Sequence, residues 1–136
     1  MANILLPSNV SSNVLATPTN DETSTVNRLL IVPQASNPLT EAEKNFILVT
    51  SLIISNKTLG SIPVNAKVSN TITGRSAYLL YGVNIPAGTA FEMIQGNKFI
   101  LKEGDSLSLW HDSTTPNVID VMMSYTLHVP NSPYTV

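Results

Sequence analysis

Ser106 has the most direct claim to chemistry in this chain. It sits in Gly104-Asp-Ser-Leu107, where a serine hydroxyl can attack an ester if a base takes its proton. Only His111 and His128 can supply an imidazole base, and a carboxylate must orient it. His111-Asp112 is also the one place where an imidazole and a carboxylate adjoin, as a metal or acid–base pair would require. Asp105, Asp112 and Asp120 are the acidic residues a cation would meet. Glu41, Glu43, Glu92 and Glu103 are the source of any carboxylate pair for glycoside hydrolysis. Trp110 and Tyr81 are the aromatic pair a sugar-binding platform would use.

Spacing argues against most of this chemistry. The letters Gly-Asp-Ser-Leu name a family of serine esterases. There the motif opens an α/β chain, and a late Asp-x-x-His completes the site. Here the motif starts at residue 104 of 136, and the residue three before His128 is Tyr125. The surroundings read as a β-hairpin, not a strand-to-helix turn. Ser106 therefore reads as a strand residue after a Gly-Asp turn, with Leu107 facing the core. His111 and Asp112, adjacent on a strand, point to opposite faces. A zinc site needs three or four ligands, and the chain has two histidines and no cysteine. The aspartates lack calcium-loop spacing, and nothing pairs the glutamates. Gly74, Gly82 and Gly88 are isolated, so no glycine loop cradles phosphate. The expectation is no catalytic residue, no metal and no cofactor. Trp110 reads as a cover for a sheet face or a subunit contact, since interfaces favour Trp.

The elements that position these residues have a period of two. Residues 1–25 are rich in Ser, Asn, Thr and Pro around one apolar knot, Ile4-Leu5-Leu6. They read as an extended N-terminal arm unable to fold alone. Residues 26–136 read as the β domain with a short C-terminal tail. Val26–Val32 is a strand closed by Pro33. Thr40-Glu-Ala-Glu43 fits a capping box and predicts one helical turn at 41–45. Phe46–Ser55 is a buried strand. Ile62, Val64, Ala66 and Val68 mark a half-buried one, which Pro63 places at an edge. Ala77–Ile85 and Ala90–Ile94 follow. Gln95-Gly-Asn-Lys98 is a hairpin-type turn leading to Phe99–Leu101. Ser106–His111 has Leu107 and Leu109 on one face and Trp110 on the other. Val118–Val129 aligns Ile119, Val121, Met123, Tyr125 and Leu127. About eight short strands separated by turns predict an all-β, antiparallel two-sheet sandwich of jelly-roll kind, with a Greek-key barrel as the alternative.

Composition limits the partners. The chain is 43% hydrophobic and 12% charged, against about 25% charged in ordinary globular proteins. Its net charge is −2 and its seven cations are scattered, so no basic stripe predicts nucleic-acid binding. No stretch approaches the ~20 apolar residues of a membrane helix. The opening residues lack the basic start and long apolar core of a signal peptide. The sequons at Asn9 and Asn56 then carry no glycosylation meaning.

One stretch resembles a known group. Ile85-Pro-Ala-Gly88, Met93-Ile-Gln-Gly-Asn-Lys98, Leu101-x-x-Gly-Asp-x-Leu107 and Val118-x-Asp-Val-x-x-Ser-Tyr125 together resemble small β-sandwich virion structural proteins of tailed bacteriophages, including those of cyanobacteria. The likeness covers about residues 46–127. It implies a non-enzymatic capsid decoration or cement subunit. Neck, baseplate or tail-fibre duty is the alternative station, and a carbohydrate-binding module is the alternative from another class. It further implies a homo-oligomer (trimer or ring) contacting a major capsid protein, assembled in the host cytoplasm and resident in the virion. Residues past Val129 extend beyond the usual ending, so both ends are candidate contact arms. The candidate interface residues are Ile4, Leu5, Leu6, Tyr81, Trp110 and Tyr134.

Overall fold

The computed structural model describes residues 3–35, 44–96 and 98–135, with side chains in these ranges between residues 9 and 130. Its strands are β1 (Asn3–Ala16), β2 (Arg28–Ile31), β3 (Phe46–Asn56), β4 (Ile62–Asn70), β5 (Ser76–Ile85), β6 (Ala90–Glu92), β7 (Phe99–Lys102), β8 (Asp105–His111) and β9 (Ile119–Thr135). A 3-10 turn at Thr25–Asn27 precedes β2.

β4 and β5 form an antiparallel hairpin. Working outward, β3 pairs with both β6 and β7, β2 with β8, and β1 with β9. The chain is a ribbon doubled at the β4–β5 turn and rolled on itself. Rolling places β1-β9-β3-β6 in one sheet, with β7 also on β3, and β2-β8-β4-β5 in the other. This is the expected jelly-roll sandwich.

Inward alternation builds the core between the sheets. Val49, Leu52 and Ile54 of β3 meet Val64 and Ala66 of β4, Leu107 and Leu109 of β8, and Ile119 and Met123 of β9, all without solvent exposure. On β3 the inward set changes parity, from Ile47 and Val49 to Leu52 and Ile54. A bulge at Thr50 absorbs the extra residue.

Two local expectations need correcting. Pro63 does not mark an edge: β4 lies between β8 and β5. Proline is tolerated because β8 pairing begins only at Val64, and the Pro63 carbonyl accepts from Asp112 N–H at 3.0 Å. The Gln95–Lys98 segment does not make a hairpin. β6 and β7 both run antiparallel to β3, opposite Ile53–Ser55 and Phe46–Val49 respectively, so the segment is an excursion within one interrupted strand. Glu92 braces it. Its Oε1 accepts from Leu52 N–H and Ile94 N–H, and Oε2 from Ser51 Oγ, at 3.1–3.2 Å. Within the extended N-terminal segment, Asn3–Ala16 is a strand, paired with β9 from Ala16 opposite Val121 to Asn3 opposite Thr135. The β3–β9 register ends at Phe46 opposite His128. Past that point β1 and β9 continue as a two-stranded ribbon. The helical turn predicted at 41–45 falls largely outside the described residues.

Residues 17–25 cross one end of the sandwich. Thr17 Oγ1 donates to Asp120 Oδ1 at 2.8 Å, His111 N–H donates to the Thr19 carbonyl at 3.1 Å, and Asn27 holds the turn between them.

Candidate functional site

The outer face of the second sheet carries Ser106. The registers set Ser106, Ser108 and Trp110 of β8 opposite Ser69, Lys67 and Asn65 of β4, and Arg28 and Ile31 of β2 opposite Ser108 and Ser106. Ser106, Ser108, Ser69, Lys67, Arg28 and Ile31 line a hydroxyl-rich groove of about 740 Å³, which Trp110 and Asn65 do not line. Neither imidazole reaches it. His111 is five residues along β8, about 17 Å at strand rise, and points the other way. His128 lies in the other sheet, stacked on Phe46 at 4.6 Å and 10°. Leu107 is buried beside Ser106 as the strand reading required.

His111 and Asp112 diverge, as alternation predicts. His111 is 1% exposed. Its Nδ1 accepts from Ser113 N–H at 3.1 Å, and its buried Nε2 makes no hydrogen bond of good geometry among the described residues, although the Pro18 carbonyl lies near enough to act on the ring. Burial pushes its pKa below the ordinary value, opposed by the Pro18 carbonyl and the Asp112 charge. Asp112 faces out, accepting from Asn65 Nδ2 at 3.0 Å. Among the described residues, no three metal-ligating side chains gather. Glu103 does backbone work: its Oε1 accepts from Ala35 N–H at 2.5 Å and Asn45 N–H at 3.0 Å. Asp120 lies on the outer face of β9. The Thr17 hydroxyl, and then Lys57 at 3.2 Å, hold its carboxyl below the usual range. Among the described residues no helix is long and apolar enough to cross a membrane.

Trp110 and Tyr81 do come together, with a third ring that residue spacing does not reveal. Tyr78 lies edge-on to Tyr81 at 4.9 Å and 81°, and to Trp110 at 6.0 Å and 61°. Trp110 is only 5% exposed, whereas Tyr81 is 75% exposed. Lys67 Nζ stands 5.8 Å and 5.9 Å from the Tyr78 and Trp110 ring centres and 2.8 Å from Glu22 Oε1. Period-two counting would set Tyr78 and Tyr81 on opposite faces. A bulge at Leu79, extra opposite Ala66–Lys67, brings them together, and a second follows where Tyr81-Gly82 opposes Asn65 alone. Gly82, at φ +60°, permits the second.

The outer face of the first sheet is the other feature. Leu15 of β1 lies opposite Met122 of β9, which lies opposite Ile53 of β3. Leu15 is 76% and Met122 42% exposed. Farther along, Ser124 Oγ donates to Asn13 Oδ1 at 2.8 Å and Ser11 meets Thr126 at 3.1 Å. The sequence held a signal for this patch: with Val14 and Ala16 turned inward, Leu15 must face out. Ile4 and Leu5 lie opposite Tyr134 and Pro133 in the ribbon, and Leu6 opposite Ser132. Their side chains are outside the described set.

No protein-family model matches this sequence, and no curated protein does. Among solved structures, the chain is similar to the VP2 subviral particle of infectious bursal disease virus, at 7% identity and a TM-score of 0.49 over 91% of this chain and 33% of that one. It therefore spans about a third of the VP2 chain. It is similar to the globular domain of zebrafish complement 1qA protein, at 10% identity and a TM-score of 0.44 over 85% and 94% of the two chains. A further likeness is to the extra small virus VLP of the giant freshwater prawn Macrobrachium rosenbergii, at 8% identity and a TM-score of 0.40 over 92% and 80%.

Proposed function

We propose that this chain is a non-enzymatic structural subunit of a virus particle, a capsid decoration or cement protein that stabilises the particle through subunit contacts. The observation that carries the proposal is the outer face of the first sheet. There Leu15, Met122 and Ile53 present apolar side chains on and beside β1, the edge strand of its sheet among the described residues. Exposed apolar groups beside an open edge are what an assembling sandwich offers its neighbours. The turn-and-strand pattern from Ile85 to Tyr125 adds the resemblance to tailed-bacteriophage virion proteins. On this proposal the chain self-associates as a trimer or ring and docks on a major capsid protein. The β1–β9 ribbon is its contact arm, and it resides in the virion after assembly in the host cytoplasm. Neck, baseplate and tail fibre are the other stations open to it.

The test is quantitative mass spectrometry of purified particles, together with sedimentation of the isolated chain. Many copies per particle, reduced in a Leu15→Asp/Met122→Asp variant whose thermal midpoint is unchanged, is the expected result. A chain absent from particles and monomeric at every concentration would overturn the proposal.

A further inference from the structure

We infer that the Tyr78–Tyr81–Trp110 cluster on the outer face of the second sheet is a binding site for an uncharged saccharide. Such a site is independent of the particle role. The cluster lies on the opposite sheet from the Leu15–Met122 face and lines a depression of about 290 Å³ with Glu22, Asn65, Gly82 and Asp112. That is at the small end of ligand sites, of about 300 Å³ and upward, and suits one or two sugar rings.

Three observations point to a sugar. The first is rigidity. Tyr81 is highly exposed, yet its ring is fixed edge-to-face by Tyr78, which rests in turn on the buried Trp110. A rigid exposed aromatic offers an apolar face for the C–H side of a pyranose and loses little side-chain freedom on binding. The second is the backbone. The Leu79 bulge turns Tyr81 to the same face as Tyr78, and Asn65 Oδ1 holds the adjoining Tyr81-Gly82 bulge by accepting from Gly82 N–H at 2.8 Å. Bulges of this kind re-aim side chains at sites. The third is the polar rim. Asp112 takes Asn65 Nδ2 on Oδ2, and an ionised carboxylate has further acceptor capacity, so it can also receive sugar hydroxyls. Glu22, whose Oε1 accepts from Lys67 Nζ at 2.8 Å, presents a further acceptor on the lining.

The charges choose the class of sugar. Two carboxylates, Glu22 and Asp112, line the depression, and the neighbouring Lys67 ammonium is paired with Glu22, so the rim carries an excess negative charge. It repels sialylated or phosphorylated glycans and admits neutral hexosides. Trp110, the ring that residue type alone would favour, supports the platform from below; Tyr81 forms its exposed surface.

The experiment titrates the full-length chain with neutral gluco-, galacto- and manno-oligosaccharides and with sialyllactose, read by NMR shifts and by Trp110 fluorescence. Binding of at least one neutral oligosaccharide at about millimolar Kd or tighter, with sialyllactose weaker, is expected. Tyr81→Ala should weaken it about tenfold, the scale of one lost aromatic contact, and Tyr81→Phe should keep it within about threefold. Asp112→Asn should also weaken it while the thermal midpoint stays near wild type. No shift with any neutral saccharide overturns the inference. Equal affinity in Tyr81→Ala, or sialyllactose binding best, overturns it as well.

Discussion

Asn27 has no solvent exposure at all, although asparagine is a residue of turns and surfaces. Its Oδ1 accepts from Thr19 N–H at 2.8 Å, and its Nδ2 donates to Thr19 Oγ1 at 2.8 Å and the Asp21 carbonyl at 2.7 Å. Asn56 behaves alike, donating to the Gly60 and Ile85 carbonyls at 2.8 Å, so the Asn56 sequon is a loop staple. Composition shows the asparagines; it does not show which are buried, because that depends on which loops meet at the ends of the sandwich. Replacing Asn27 by Ala strands a backbone donor and an acceptor, and should cost about 2–3 kcal/mol, measured by urea unfolding. His111 supplies a pH signature. Its folded pKa lies below the ordinary 6.5, so below that pH the unfolded chain binds the proton first. Its contribution to stability is complete above 6.5 and is lost as pH falls through the folded pKa. Urea midpoints should fall from pH 7.5 to pH 5.5 in the wild type, and less so in His111→Leu. Equal slopes would show that other groups dominate.

At the scale of elements, most strands were legible because their inward positions are large and alternate: Ile119 to Leu127 on β9, and Leu107 and Leu109 on β8. β1 was not legible. Only Val14 and Ala16 of its described residues pack against the core, both of them small, and its pairing partner lies more than a hundred residues away. An edge strand held mainly by backbone hydrogen bonds leaves little hydrophobic signature. The interrupted β6–β7 strand escaped for another reason: a short loop between two short strands looks like a hairpin until both are seen to pair with β3. Of the site, Tyr81 and Trp110 were legible by residue type, whereas Tyr78 was hidden by bulges that break the period of two. Deleting residues 1–16 should uncover the β9 edge and the flank of Met123. The truncated chain should form aggregates in sedimentation velocity, larger than the species the full chain forms under the same conditions. If it stays as small as the full chain, β1 is not what protects that edge.

The molecule as a whole is built from contacts distant in sequence. Apart from the β4–β5 hairpin, each strand waits for a partner far along the chain in the other arm of the ribbon. Such topologies fold slowly because loop closure must precede the gain from burial. Stopped-flow refolding monitored by Trp110 should show a main phase of about milliseconds to seconds. Leu109→Ala, which opens a cavity at the centre, should lower stability by about 2–5 kcal/mol; a microsecond main phase would contradict this ordering of events. The doubled ribbon also sets a timetable during synthesis. β1 leaves the ribosome first among these strands, and its partner β9 is made last. At about 5–20 residues per second, the first strand therefore waits for seconds with its backbone uncommitted. On a crowded polysome, neighbouring nascent chains are exposed to one another throughout that interval, so strand exchange between copies has its best opportunity before any of them is finished.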